Sequence, residues 1–277
     1  MRRLRGALRQ MREASGLTQR DVADALDWSL SKLIRIEKGP VGISVTDVKA
    51  LLLQYRVTDD HRVDELVEMA RAAKRPAWWH KYRDMYSSQF LTFLGLEASS
   101  VRIRQSQSLV VPGLLQTEGY ARGVIAASES DPDLVGRGVA LRLERQQLIG
   151  PDGPELFFIL DESVLYRLIG DAEVMRGQLH RLVELAGKPS ISIQVLPFTA
   201  GRHRGVASSF TIFELSEEYG DYSLLIEQPY EDTLIEEPSD QTKEYVAIFR
   251  ELEKIALSQA ESVKLIEKVI GRTGGVS

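Results

Sequence analysis

The apolar positions at the start of the chain repeat with a helical period. Leu4, Leu8 and Met11 fall at i, i+4 and i+7, which predicts a helix over residues 1–14 with one apolar face. Arg2, Arg5, Arg9 and Arg12 line a basic stripe beside it, and Gly16 marks a stop. Three helix starts of one construction follow. Thr18 precedes Asp21 by three residues, with Leu17 and Val22 as a flanking apolar pair. Ser29 stands between Trp28 and Leu33, and Ser44 precedes Asp47 between Ile43 and Val48. In each, a side-chain oxygen satisfies an otherwise orphaned amide while the apolar pair fixes the entry angle. Short helices are predicted at about 18–26, 29–37 and 44–55. Only Asp27 and Trp28 separate the middle two. That spacing suits a sharp turn between crossed helices, a helix-turn-helix, with position 27 left-handed.

A further amphipathic helix is predicted over 59–74, lined by Val63, Leu66, Val67, Ala70 and Ala73. Lys74-Arg75-Pro76 ends it, because proline disfavours helix in the residue before it. The domain boundary is placed there, dividing the chain into 1–75 and 76–277. Trp78 and Trp79 read as buried anchors of the second domain. Beyond them the element types alternate. Val101, Ile103 and Gln105 predict a strand reaching toward Val111, and Pro112-Gly113 a turn. Helices are predicted at 117–127, 134–148, 162–168, 172–186, 239–257 and 259–270. Strands are predicted at 156–160, 191–195, 210–213 and 224–226. Ser258 and Glu261 form a capping box. The fold class is a mainly α N-terminal helix-turn-helix domain plus a mixed α+β C-terminal domain with about five strands.

Charge sharpens this division. The chain has 277 residues and a net charge of −5, yet residues 1–56 hold 11 Lys/Arg against 6 Asp/Glu. Residues 57–277 therefore carry −10. A basic head on an acidic body implies that only the head meets a polyanion. Residues 214–253 are the acidic extreme, 13 Asp/Glu against Lys243 and Arg250, and read either as a solvated face or as a surface for a protein partner. With no cysteine, disulfides, thiolate metal sites and cysteine nucleophiles are excluded. A cytoplasmic location is expected, since neither a signal-peptide core nor an apolar run of membrane-spanning length is present.

Leu17-Thr18-Gln19, Val22-Ala23, Leu26, Ser31-Lys32-Leu33 and Ile36-Glu37-Lys38-Gly39, in this order and spacing, resemble the phage-repressor-like (xenobiotic-response-element type) DNA-binding domain. Asp27 departs from the glycine usual in that turn. The resemblance implies that the helix from Ser29 to Glu37 enters the major groove. Ser29, Leu30, Ser31 and Arg35 match positions that face base edges, where arginine can grip guanine with two donors and Leu30 can touch only a thymine methyl. Gln19, Arg20, Lys32 and Lys38 match positions near phosphates. Ordinary core packing for Leu30, and solvated helix sides for Lys32 and Lys38, are the competing readings. Arg12 and Glu37 match a structural ion pair. Binding as a homodimer on an inverted repeat of double-stranded DNA is expected, since one short helix reads only a few base pairs.

In the second half, Glu97-Ala98, Val111-Pro112-Gly113-Leu114-Leu115-Gln116-Thr117, Tyr120-Ala121, Arg145-Gln146, Gln178-Leu179, Val195-Leu196-Pro197-Phe198, Ala256-Leu257-Ser258 and Glu261-Ser262 form an ordered series. It is similar to the C-terminal domain of unassigned function carried by many actinobacterial repressor-type regulators, the WhiJ-like developmental regulators among them. Such proteins are commonly encoded beside a small partner, an arrangement likened to a toxin–antitoxin operon. The resemblance implies a protein effector rather than an enzyme.

The chemistry-bearing side chains agree. His61, His80, His180 and His203 stand in no metal-ligand spacing, so neither a metal nor a cofactor is expected. Ser163 follows Asp161-Glu162 without a nucleophile elbow. Gly201-Arg202-His203-Arg204-Gly205 reads as a site for an anion or acidic segment, or as a mobile loop. Pro112–Thr117 reads as a pocket wall or a tight packed turn. Two functions stand: a DNA-binding regulator whose body dimerises or binds a small partner protein, and one whose body is a small-molecule sensor or vestigial enzyme. A pocket of ~300 Å³ with convergent polar groups favours the second; an exposed apolar patch rimmed by charge favours the first.

Overall fold

The computed structural model describes residues 2–38, 43–74, 77–206, 208–216 and 220–273. The chain divides into two compact units, Met1–Met85 and Tyr86–Ser277. The boundary expected from sequence falls at Arg75-Pro76, outside the described residues and ten residues before this division.

The first unit is helical: α1 (Arg2–Ala14), α2 (Gln19–Ala25), α3 (Leu30–Lys38), α4 (Val45–Gln54) and α5 (Asp60–Lys74). Its core gathers Leu4 and Leu8, Val22, Leu33 and Ile36, Val48, Leu51 and Leu52, and Leu66, Val67 and Ala70, so every helix contributes one apolar stripe. Three of these helices end alike. Gly16, Asp27 and Arg56 have φ of +69°, +52° and +56°. After each, the next amide reaches back five residues: Leu17 to Arg12, Trp28 to Ala23 and Val57 to Leu52. These are Schellman ends, in which a left-handed residue lets the last carbonyls find donors. Trp78 and Trp79 lie in a short 3-10 helix of this unit, edge-on to each other, with Trp78 37% exposed. They are not buried anchors of the second domain. A neighbouring ring covers part of their apolar surface instead.

The second unit begins with α6 (Ser88–Ser99), which the sequence reading missed. Phe90, Leu91, Phe93, Leu94 and Leu96 make it apolar nearly all round, so no 3.6-residue period marks it. The strands are β1 (Arg102–Gln107), β2 (Glu155–Asp161), β3 (Ile191–Leu196), β4 (Phe210–Glu214), β5 (Tyr222–Ile226) and β6 (Thr233–Ile235). They form one six-stranded sheet in the order β3-β2-β1-β4-β5-β6. The first three are parallel; β4, β5 and β6 run antiparallel to their neighbours. The short, half-buried β6 is a sixth strand that periodicity did not reveal.

Helices α7 (Glu118–Ala126) and α8 (Pro132–Arg145) connect β1 to β2, and α9 (Ala172–Ala186) connects β2 to β3. Helices α10 (Asp240–Ile255) and α11 (Gln259–Thr273) end the fold. Side chains alternate across the sheet. Leu156, Phe158 and Leu160 of β2 join α9 and α11 on one face, while Ile159 joins Phe210, Ile212 and Leu224 against Phe249 and Leu252 of α10 on the other. This is a mixed α+β fold with helices on both faces of the sheet. Covering both faces explains why β1 breaks the expected alternation. It ends at Gln107 short of Val111, and it buries Ser106 and Gln107 but not Gln105. The helix expected at 162–168 is a 3-10 turn, Glu162–Leu165, capped by Asp161; it leaves Tyr166 and Leu168 exposed.

Candidate nucleic-acid interface

The head builds a reading helix from local signals. Thr18 and Asp21 close a capping box, the Asp21 amide donating to Thr18 Oγ1 at 3.2 Å and the Thr18 amide to Asp21 Oδ2 at 2.8 Å. The turn at Asp27 then redirects the chain, and Ser29 Oγ accepts from the Lys32 amide at 3.2 Å to start α3. On the inner side of α3, Leu33, Ile36 and Glu37 are buried. On the outer side, Ser31, Ile34 and Arg35 are exposed, and Ser29 is exposed before them. Leu30 is half-buried and does not pack against the core cluster among the described residues.

An ion pair fixes this helix from beneath. Arg12 Nε donates to Glu37 Oε1 at 2.7 Å and Arg12 Nη2 to Glu37 Oε2 at 3.0 Å, with both residues under a tenth exposed. The bond to Glu37 holds the Arg12 guanidinium above its ordinary pKa despite burial. Arg12 Nη1 also donates to the Leu17 carbonyl, and Gln19 Nε2 to Glu37 Oε2 at 2.7 Å. Helix α1, the start of α2 and the end of α3 therefore share one buried charge centre.

The sequence-expected phosphate residues divide. Arg20 is exposed. Gln19 is turned onto Glu37. Lys32 Nζ sits 2.8 Å from Asp47 Oδ1 and 3.6 Å from the centre of the Trp28 ring, so its charge is engaged within the head. Burial acts to raise the Asp47 carboxyl, but bonds from Lys32 and Ser44 outweigh it and hold its pKa below the usual range. The side chain of Lys38, and Gly39 after it, lie outside the described residues. Sequence reasoning missed Ile34, which is 37% exposed between Ser31 and Arg35. Its position three residues after Ser31 puts it on that same face, which was the available signal.

In the body, the Pro112–Thr117 segment is a tight packed turn. Gln116 Nε2 donates to the Val111 carbonyl, Gln146 Nε2 to the Gln116 carbonyl and Gln178 Nε2 to the Leu115 carbonyl, at 2.7, 2.6 and 2.8 Å. A second buried ion pair lies nearby: Arg145 Nε and Nη2 donate to the two Glu97 oxygens at 2.9 and 2.7 Å. The 201–205 segment touches α10. Arg204 Nη2 reaches Glu244 Oε1 at 2.6 Å, and Gly205 packs so closely on Leu252 that a side chain there would collide with it. The acidic stretch is also partly neutralised from outside itself. Glu214 pairs with Arg102 and Arg104, Glu253 with Arg104, and Glu251 with Arg204. Counting charge within one window hid these partners. A surface cavity of about 330 Å³ is lined by Ser163, Tyr166, Arg167 and Phe198, and Tyr166 stacks on Phe198 with both rings largely exposed.

A helix-turn-helix head thus precedes a mixed α+β body. Residues 3–66 match the family described as a helix-turn-helix domain. Residues 90–268, more than half of the chain, match the family described as a domain of unknown function (DUF5753), and the chain belongs to that family. No curated protein and no solved structure matches the chain. The helix-turn-helix match supports a DNA-binding regulator. No described helix is long and apolar enough to cross a membrane.

Proposed function

We propose that this protein is a sequence-specific transcriptional regulator of the xenobiotic-response-element type, which binds double-stranded DNA through the outer face of α3 as a homodimer. The observation that carries the reading is that face itself: Ser31, Ile34 and Arg35 exposed side by side on a short helix whose far side is clamped by Arg12 and Glu37. Arg35 supplies two donors suited to guanine, and Ile34 an apolar contact suited to a thymine methyl. Ser29 and Leu30 stand at the N-terminal approach to the groove. Arg20 and Lys38 serve phosphates; Gln19 and Lys32 act first as internal braces.

The body is the effector rather than an enzyme, and needs no metal or cofactor. It dimerises, binds a small partner protein encoded nearby, or does both, as expected of the antitoxin-like, WhiJ-like developmental regulators that its motifs resemble. The exposed Tyr166 and Phe198 pair, with Leu168 61% exposed beside it in sequence, supports a protein contact there. Selection of duplexes from a random pool by the full chain tests the DNA reading. An enriched inverted repeat bound by two copies is the expected result. Recovery of unenriched sequence would sink it.

A further inference from the structure

The three parallel strands of the body set their carboxyl ends side by side: β1 ends at Gln107, β2 at Asp161 and β3 at Leu196. The chain after each strand leaves large apolar side chains in solvent. Leu109 follows β1 and is 59% exposed, Tyr166 and Leu168 follow β2 at 45% and 61%, and Phe198 follows β3 at 61%. Bonds tie the three segments together. Ser163 Oγ donates to the Ser108 carbonyl at 3.3 Å, and the Phe198 amide donates to Glu162 Oε2 at 2.8 Å. The other Glu162 oxygen accepts from the Tyr166 hydroxyl at 3.5 Å. One carboxylate thus anchors both ring-bearing segments, whose ring centres lie 6.2 Å apart, before anything binds.

Four large apolar side chains on one end of the sheet expose roughly a few hundred Å², about the most that a soluble monomer leaves uncovered. The patch also carries charge. Arg167 lines the 330 Å³ cavity together with Ser163 and the two rings, and its side chain is exposed. Among the described residues, no carboxylate lies within ion-pair distance of Arg167. Glu162 has both oxygens engaged by the Phe198 and Tyr166 donors.

Charge separates the occupants such a patch could take. A polyanion, whether nucleic acid or an anionic lipid surface, meets one cation here against the −10 carried by residues 57–277, and is repelled. A second copy docked about a two-fold axis brings Arg167 toward Arg167, while Glu162 stays turned to its own rings. A segment of a different protein, with one carboxylate beside a bulky apolar side chain, suits both parts of the patch. We propose that this end of the sheet docks such a segment, its apolar side chain against Tyr166 and Phe198 and its carboxylate on Arg167. A guanidinium with unused donors matches a carboxylate at two points, and exposed aromatic rings beside an arginine are the usual anchors of a protein contact. The proposal rests on the reading of the body as a partner-binding effector and gives that partner its chemistry.

Random peptides displayed on phage are selected on the full chain, and the enriched ones are then measured by calorimetry as free peptides. Enriched sequences should place a leucine or an aromatic residue at a fixed spacing from an aspartate or glutamate. Phe198→Ser and Arg167→Gln should each weaken the same peptide about tenfold or more, as should replacing its carboxylate by the amide. Both side chains are exposed, so both variants should melt with the unaltered protein. A peptide with lysine in place of the carboxylate should bind Arg167→Glu more tightly than it binds the unaltered chain. Peptides that enrich yet bind undiminished to Phe198→Ser would overturn this site and leave the body a partner-binding unit; no enriched peptide at all would overturn both. Enriched peptides without a carboxylate would overturn it too. So would a self-associating chain that turns monomeric on Phe198→Ser, since the patch would then belong to a second copy.

Discussion

The head and the body each bury a two-point arginine–glutamate pair, and the two are used differently. In the head, Arg12 and Glu37 draw in Gln19 and the Leu17 carbonyl, so the surrounding polar groups converge on one centre. In the body, Arg145 and Glu97 join α8 to α6 with the Phe93 ring 4.8 Å from the guanidinium carbon, yet among the described residues Arg142 on the same helix pairs with no carboxylate. Charge in the head braces a helix whose outer face is left to read. In the body, Arg145 is met by the Glu97 carboxylate, while Arg142 bonds the neutral Gln116 side chain. A buried pair adds little over an apolar replacement, but breaking one from a single side is costly. Both pairs are therefore points of vulnerability, and they differ in what fails with them.

The largest effect should come from Glu97→Ala. It removes both carboxylate oxygens that Arg145, 7% exposed, donates to, and should cost the body about 3–5 kcal/mol. Denaturant unfolding of the full chain measures it. Unchanged stability would remove the bracing role. Arg12→Ala should cost about 3 kcal/mol, near the lower end of that range, because Gln19 still donates to Glu37. It should unfold the head while the body's transition persists; one coincident loss of both would contradict two separately braced units.

A third comparison uses pH. Burial raises the Glu227 carboxyl from 4.5 to about 7, so folding favours its protonated form. Its contribution to stability is complete below pH ~4.5 and is lost as pH rises through about 7. Asp47 runs the other way: its pKa is lowered, so its contribution is present above the unfolded carboxylate range and is lost as pH falls through its folded value. Glu227→Gln should thus raise the body's melting temperature relative to wild type at pH 8 and change little at pH 4. An equal effect at both would contradict burial as the cause. Smallest is Asp27→Gly, which should stabilise the head by about 0.5 kcal/mol, since glycine adopts the left-handed turn freely but loses more freedom on folding. A lower melting temperature would show that the Asp27 side chain matters in itself.

The head was more legible than the body because its signals are local. Thr18 with Asp21 and Ser44 before Val45 announce helices within four residues, and Asp27 must turn because only Trp28 separates it from the next cap. The Arg56 end was not visible, since arginine carries no left-handed signature. In the body, α6 lacks periodicity because it is apolar on nearly every side, and β6 is three residues long. Of the candidate interface, Ser31 and Arg35 were pointed to by the resemblance of their motif to the phage-repressor-like domain, and both are exposed. The engagement of Lys32 with Asp47 was not legible, because it depends on how α4 packs. The Arg145–Glu97 pair joins residues 48 positions apart, and only the fold brings them together.

The reading face of α3 is tested most sharply by Arg35→Ala in the full chain. Affinity is measured on a selected duplex and on a scrambled one, with the melting temperature of the same preparation. The loss on the selected duplex should be about 1–3 kcal/mol, with little change on the scrambled one and relaxed preference at a single base pair. The melting temperature should hold, because Arg35 is exposed and, among the described residues, bonds only back to the Ser31 carbonyl. Equal loss on both duplexes, or none on either, would contradict base reading by this helix.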